Sequence, residues 1–331
     1  MKLVSTLVAV FVPILLGFPV SADAVSQQEK QHVLNAVIGH LRDDYVDPLA
    51  GRLAADTLES YMAEGQFDQA LDGPRLAELL SHHLQALTGD GHLNVEYSSE
   101  RLAQNAESDD FSAQEMEKYY GAHLNFGVQA VSRLEQNIGY LDLRVFAPVD
   151  WGGDTVAAAM TVLANADALI IDLRNNGGGI GDMADLVASY LFDGGRQPLT
   201  GVYDRPTDTL SQRFTQAHVA GKRFGAEKPV YVLISKKTFS AAEALAYNLQ
   251  ALKRATIVGE PSGGGAHPFY YLTISDHFVL WSVTAKSVNP VTQSNWQGTG
   301  VTPDVPVPAS EALDQAIELV SEHLKNAAQK N

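Results

Sequence analysis

Apolar residues recur at helical spacing near the start of the chain. Leu34, Val37, Ile38, Leu41 and Tyr45 share one face until "VDPLAG" breaks the run. Leu53, Ala54, Leu58, Tyr61 and Met62 make a second amphipathic stretch. After a Gly-Pro break, Leu76, Leu80, Leu84 and Leu87 line a third. A single apolar stripe has to be covered by another element, so three in succession predict a small helical bundle. The bundle ends in "TGDGHLNVEY", a turn followed by an alternating, strand-like run.

Residues 98–120 are polar and read as a linker with some helix. The pattern changes from about residue 124. "IGYLDLRVF" alternates as a strand does, "DTVAAAMTVLANA" is helical, and "ALIIDLRN" is short and continuously apolar, as a buried strand is. "NGGGIGD" then leads into a helix through "MADLVASYLF". "VYVLIS" predicts another buried strand feeding the helix "SAAEALAYNLQAL". "ATIVGEP" reads as a strand, and "FYYLTIS" with "FVLWSVTAK" reads as a hairpin around Asp276. "PDVPV" is a short extended piece before a last helix from about Ser310. This alternation of strand and helix predicts an α/β core with both sheet faces covered. The predicted organisation is a signal peptide over 1–24, a helical domain over 25–97, a linker over 98–123 and an α/β core over 124–331.

The signal peptide follows from "MKLVSTLVAVFVPILLGFPVSADA": Lys2, an apolar run, then small residues at Ala22 and Ala24. Pro13, Gly17 and Pro19 interrupt the run, which suits cleavage better than a permanent anchor. No later stretch reaches the roughly 18 apolar residues of a membrane span, so no stable insertion is expected after cleavage. An exported bacterial protein, periplasmic or extracellular, is the simplest reading. The net charge of −16 argues against non-specific binding to nucleic acid or anionic membrane. The absence of cysteine excludes disulfides, thiolate catalysis and Cys-ligated zinc. No histidine or carboxylate spacing has metal-site character.

Several stretches carry candidate chemistry. In "DLRNNGGGIGD", three glycines between a strand and a helix present backbone N–H groups at a positive helix end. A tight turn, a phosphate cradle and an oxyanion hole all fit this pattern, though no Gly-Lys-Ser/Thr follows to make a Walker loop. Ser240 in "KKTFSAAEAL" matches a capping box with Glu243. It also stands where a strand gives way to a helix, a good place for a nucleophile, with the N–H of Ala241 as a natural oxyanion donor. His92, behind Asp90 and Gly91, and His267, in "GGGAHPF", both sit in turns that can aim a side chain into a cleft. "NWQGTGVTPDVPV" reads as a loop closing the core.

Taken together, "LTGDGHLNVEY", "NIGYLDLRVF", "ALIIDLRNNGGG", "VYVLISKKTFSAAEALAYNLQALKRATIVGEPSGGGAHP" and "GTGVTPDVPV" occur in the order of one family. Over about residues 27–307 the chain resembles the C-terminal-processing (tail-specific) serine peptidases. Within them it is most similar to the branch holding the tricorn core protease and the interphotoreceptor retinoid-binding protein modules. The resemblance implies a ClpP/crotonase-like core with an N-terminal helical domain. It places the nucleophile at Ser240 and the oxyanion-hole donors at Gly177 and Ala241. The tail-specific lysine, 25 residues after the serine, falls on Gly265, so the Ser-Lys dyad is absent. The tricorn-like base falls on His92, and the glutamate expected behind it is Gln297.

The resemblance thus implies an exported serine endopeptidase or carboxy-terminal-processing peptidase. It would act on a peptide or unfolded protein substrate, without a cofactor, at a site between the helical domain and the core. An amide where the acid should be costs a serine-protease triad about 10⁴-fold in turnover. Gln297 therefore leaves three readings. The chain is a slow peptidase, a peptidase that recruits another acid such as Glu260 or Asp90, or a degenerate module binding a hydrophobic ligand or peptide. The aromatic residues Phe269, Tyr270, Tyr271, Phe278 and Trp281 motivate the last.

Overall fold

A computed structural model describes residues 24–70, 72–102, 107–108 and 113–329. All but the last residue of the predicted signal peptide lies outside them. Among the described residues, no helix is long and apolar enough to cross a membrane.

The three N-terminal helices form where the apolar spacing places them. Helix α1 (Gln27–Asp43) starts at Ser26, whose side chain accepts the Glu29 N–H. Helix α2 (Pro48–Ala63) starts at Asp47, which accepts from Leu49 and Ala50 N–H with Pro48 in the first turn. Helix α3 (Gly73–Thr88) starts at Asp72 and ends at Gly89, whose φ of 66° is the left-handed cap glycine permits. Strand β1 (Asn94–Tyr97) follows, then β2 (Glu107–Ser108) and α4 (Ala113–Tyr120).

The chain then enters the α/β unit through β3 (Val128–Arg133), β4 (Ile138–Leu143), α5 (Val149–Leu163), β5 (Ala168–Asp172) and α6 (Gly181–Ser189). Strands β6 (Pro198–Asp204) and β7 (Thr209–Phe214) come next, then β8 (Val230–Ile234), α7 (Ala241–Ala251) and β9 (Thr256–Gly259). The hairpin β10 (Tyr270–Thr273) and β11 (Phe278–Ser282), β12 (Ala285–Val288), β13 (Val305–Pro306) and α8 (Ala312–Ala328) complete it. The main sheet runs β13-β9-β8-β5-β4-β3, parallel throughout except for the antiparallel β3. All five residues of β5 and of β8 are buried, because helices cover both faces. Leu169 and Ile171 pack with α5, α6 and α7. Ala168 and Ile170 pack with Ala312, Ala316 and Val320 of α8.

The predicted hairpin forms, but in the other unit. β11 pairs antiparallel with β1 (Asn94 opposite Trp281, Tyr97 opposite Phe278). Ile274, Phe278, Leu280 and Val283 sit in one apolar cluster with Val33, Leu41, Leu58 and Leu84 of the bundle. The helical domain and the core are therefore interleaved rather than consecutive. Val46 N–H also donates to Val283 O at 3.0 Å, and Arg205 Nη1 to Tyr45 O at 2.7 Å. Opening a cleft between the two units would break the Arg205 bond to Tyr45 O, while the β1–β11 ladder stays within the helical unit. A second sheet, β12-β6-β7, was not anticipated from the sequence. The first four residues of β7 are exposed, so it carries no apolar alternation to read.

Candidate active site

Ser240 stands between the end of β8 and the start of α7. Two buried hydroxyl groups shape the turn before it. Ser235 Oγ donates to Arg174 O at 2.6 Å, and Thr238 Oγ1 donates to Leu173 O at 2.8 Å, pinning the turn to the end of β5. Ser240 itself is half-buried, with φ 54° and ψ −122°. A non-glycine residue in such a conformation costs about 1–3 kcal/mol and persists only where its surroundings enforce it. The same sharp strand-to-helix turn exposes the serine of α/β-hydrolases.

Glu243 is the enforcing group. Its side chain has no solvent exposure. Oε2 accepts from Ser240 N–H and Gly265 N–H, each at 2.8 Å. Oε1 accepts from Ser262 Oγ at 2.6 Å and Gly264 N–H at 2.7 Å. The capping box is therefore present on its glutamate side. The reciprocal approach of Glu243 N–H to the Ser240 hydroxyl completes the shape of the box without making a proper cap hydrogen bond.

The glycine loop lies against this turn. A Cβ on Gly178 would come within 2.8 Å of Ser240 Cβ and 3.2 Å of Ala241 N, and φ is 108°, so only glycine fits. Buried Asn176 holds the loop: Oδ1 accepts Gly178 N–H at 2.8 Å, Nδ2 donates to Leu143 O, and its carbonyl accepts Phe239 N–H at 3.1 Å. The sequence reading did not single out Asn176. Gly177 is exposed. Neither Gly177 N–H nor Ala241 N–H has a hydrogen-bond partner among the described residues.

His92 lies in the turn between α3 and β1 and is 4% exposed. Its ring packs on Phe239, the residue before Ser240, at 4.7 Å between centroids, and on Phe269 at 5.3 Å. A Cβ on Gly265 would meet Phe239 Cζ at 2.2 Å and His92 Cε1 at 2.7 Å. The two rings thus fill the space into which any side chain at position 265 would have to grow. Burial pushes the His92 pKa down to about 4, against the pull of Asp90 and with a smaller push from His267. His92 Nδ1 is buried without a hydrogen-bond partner.

Asp90 is fully buried beside it. Its Oδ2 takes Tyr45 OH at 3.1 Å and His267 Nδ1 at 2.7 Å. Its Oδ1 accepts His92 N–H at 3.0 Å and lies 3.9 Å from His92 Nδ1. Burial pushes the Asp90 carboxyl up, but His267 and His92 together hold it below its ordinary value.

Gln297 shares no hydrogen bond with His92 among the described residues, which corrects the expected pairing. Its Oε1 accepts Ala266 N–H at 2.8 Å, and its Nε2 makes a long 3.4 Å contact to Gly89 O. The physical reason is the loop it belongs to. Trp296 Nε1 donates to Gly265 O at 2.9 Å and Gly298 N–H to Gly264 O at 2.8 Å, so the segment straps itself along 264–266 and turns the amide to that backbone. Of the other acid weighed, Glu260, the structure gives only a backbone bond to Ile234 O. Lys236 and Lys237 are exposed. Among the described residues no group of His, Asp and Glu is arranged to hold a metal ion.

The chain matches the description "Peptidase family S41" over residues 137–307. Residues 25–132 match the N-terminal domain of peptidase S41 in eukaryotic IRBP. Carboxyl-terminal-processing peptidase 2, chloroplastic, of Arabidopsis thaliana is 30% identical over 180 residues, covering 54% of this chain and 33% of that protein. The carboxy-terminal-processing protease of Bartonella bacilliformis is 32% identical over 193 residues, covering 54% of this chain and 41% of that protein. The chain thus spans well under half the length of these curated relatives. A candidate peptidase from Parabacteroides merdae superposes with a TM-score of 0.61 at 19% identity, covering 88% of this chain and 96% of that one. The photosystem II D1 C-terminal processing protease gives 0.51 at 17% identity, covering 86% and 94%. At these identities the structural likeness concerns the fold, which is the ClpP-like fold expected from the sequence. With the helical N-terminal match and the larger match across the sheet, the chain belongs to peptidase family S41.

Proposed function

We propose that the chain is an exported serine peptidase with Ser240 as nucleophile and His92 as general base. Ser240 Oγ attacks the scissile carbonyl carbon and passes its proton to His92. Nδ1 faces Asp90, so Nε2 is the ring nitrogen that receives it. The carbonyl oxygen, now negative, is held by Gly177 N–H and Ala241 N–H. Collapse of the adduct breaks the C–N bond, and the leaving amine takes the proton from His92. Water then attacks the acyl-serine by the same route in reverse, returning Ser240 and His92 to their starting forms. Gln297 acts one step back, bracing the loop against which His92 packs.

The observation that carries this reading is the strained Ser240 backbone, fixed by a buried carboxylate beside two unpartnered N–H groups. The neutral state of buried His92 adds to it, since a base must begin unprotonated. The peptide or protein substrate follows the family and the names of the relatives, which speak of carboxyl-terminal processing, and an unfolded tail is the form of it proposed here. The export reading rests on the N-terminal pattern of residues 1–24. A fluorophosphonate probe tests the centre: labelling that is lost in Ser240→Ala supports it. No Ser240-dependent labelling of folded protein at neutral to alkaline pH would overturn it.

A second reading is a binding module on the same scaffold. Phe269 and Trp281 stack at 4.5 Å and 6°, with Tyr271 edge-on to both, right beside His92. Such a face suits an apolar side chain of a bound peptide as well as a retained ligand. Peptide binding without turnover in the wild type would favour this reading.

A further inference from the structure

Resting on the Ser240–His92 reading, we propose that Asp90 is the acid that works with His92, and that His267 and Tyr45 are positioning residues that hold it. The two oxygens of Asp90 divide the work. Oδ2 is fixed by His267 Nδ1 at 2.7 Å and Tyr45 OH at 3.1 Å. Oδ1 is left facing His92, anchored by that residue's own backbone N–H at 3.0 Å. The gap from Oδ1 to His92 Nδ1 is 3.9 Å, about 1 Å beyond a hydrogen bond. Catalytic hydrogen bonds of unliganded enzymes are often long and tighten when substrate binds.

Three observations point the same way. His92 Nδ1 is buried with no partner of its own, and an orphaned buried donor is a cost that closure onto Asp90 would remove. Asp90 is fully enclosed, so its charge acts on His92 with little screening. The amide at 297 is committed to Ala266 and Gly89 and supplies no charge to the ring. When His92 takes the Ser240 proton at Nε2, it becomes an imidazolium with Nδ1–H toward Asp90 Oδ1. The carboxylate stabilises that cation and stays ionised throughout, because its second oxygen keeps both donors. No proton leaves Asp90 at any step, and the acid sits two residues from its histidine instead of in the 295–300 loop.

The test uses the full chain and a fluorophosphonate probe, with labelling rates read from about pH 3 to 9, so that the window reaches below the His92 value of about 4. Asp90→Asn is expected to slow Ser240 labelling by about 10²- to 10⁴-fold, by analogy with carboxylate-to-amide changes in serine triads. It is also expected to move the acid limb of the pH–rate profile to lower pH. The groups acting electrostatically on His92 are Asp90 from its own turn and His267 from the facing loop. Losing the Asp90 charge disfavours the protonated ring, a shift that general loosening of the turn would not produce. His267→Gln is expected to slow labelling about tenfold, within the range of a lost hydrogen bond to a charged group, and His92→Gln far more.

Wild-type labelling combined with wild-type rates and an unmoved limb in Asp90→Asn would overturn the proposal and leave the peptidase reading standing. No labelling of the wild type overturns both. Should Asp90→Asn not fold, His267→Gln and Tyr45→Phe decide: rates within twofold of wild type in both overturn it. A greater loss in His267→Gln than in His92→Gln would make His267 the base, and a gain above tenfold in Gln297→Glu would return the acid to position 297. Either outcome overturns the assignment of Asp90.

Discussion

Glu243 Oε2 accepts the backbone N–H of Ser240 and the backbone N–H of Gly265, both at 2.8 Å. One carboxylate thus ties the Ser240 turn to the loop on which His92 and Phe239 rest. Burial pushes the Glu243 carboxyl up, and the donors from Ser262, Gly264, Gly265 and Ser240 work against that shift. An amide of the same shape would aim an NH₂ group at two of these four donors. Glu243→Gln is therefore expected to destabilise the fold by about 2–3 kcal/mol, the range for hydrogen bonds to a charged group. It should also slow Ser240 labelling at least tenfold by freeing the strained turn. Denaturant unfolding and probe labelling check the two effects separately. Unchanged stability would mean that the carboxylate is not the clamp.

The strain at Ser240 gives a prediction of opposite sign. Glycine adopts φ 54°, ψ −122° without steric cost, whereas serine and alanine do not. Ser240→Gly should raise stability by about 1 kcal/mol, the relief of strain less the added freedom of the unfolded chain. Ser240→Ala keeps the strain and should stay within about 0.5 kcal/mol of the wild type. Both variants should lose probe labelling. A Ser240→Gly protein no more stable than Ser240→Ala would show that the turn is relaxed.

Gly265 and His92 occupy one another's space. A Cβ at 265 falls 2.2 Å from Phe239 Cζ and 2.7 Å from His92 Cε1. Gly265→Ala should cost about 1–3 kcal/mol through overpacking and displace the His92 ring. In Gly265→Ala/His92→Ala the missing ring makes room, so the pair should be less destabilising than the sum of the two single changes. A double-mutant cycle with a coupling energy below about 0.5 kcal/mol would refute the contact. The same crowding opposes a lysine at 265, since Phe239 and His92 together occupy the space its side chain would have to enter.

Much of the site was legible because its parts sit at punctuated positions. Strand-glycine-helix at 172–182, strand-serine-helix at 230–251 and turn-histidine-strand at 90–97 are each marked by local composition. The strands β4, β5, β8 and β9 and the hairpin showed through their apolar runs. What did not show depends on contacts between distant segments. Asn176 looks like any residue before a glycine turn, and its clamp needs Leu143 and Phe239 in place. Glu243 looks like the far end of a capping box, and three of its four donors lie in the 262–265 loop. The pairing of β1 with β11 joins residues almost 190 positions apart, and no local pattern specifies a partner at that range. Gln297 is a related case: the resemblance put it behind His92, but the loop's own hydrogen bonds decide where its amide points.

The buried histidines set the acid response of the fold. Burial holds both His92 and His40 down to about 4, from an ordinary value of 6.5. At His40, Asp44 pulls upward and Arg205 pushes further down. A lowered histidine pKa means that the unfolded chain binds the proton before the folded one. Stability is therefore whole above about pH 6.5 and declines as pH falls toward about 4. A shift of this size is worth up to about 3 kcal/mol per residue over that window. Unfolding free energies measured between pH 7.5 and 4.5 should fall steeply in the wild type. His40→Gln, which lies outside the site, should remove about half of the fall. If the slope is the same with and without His40, that histidine is not held neutral by burial.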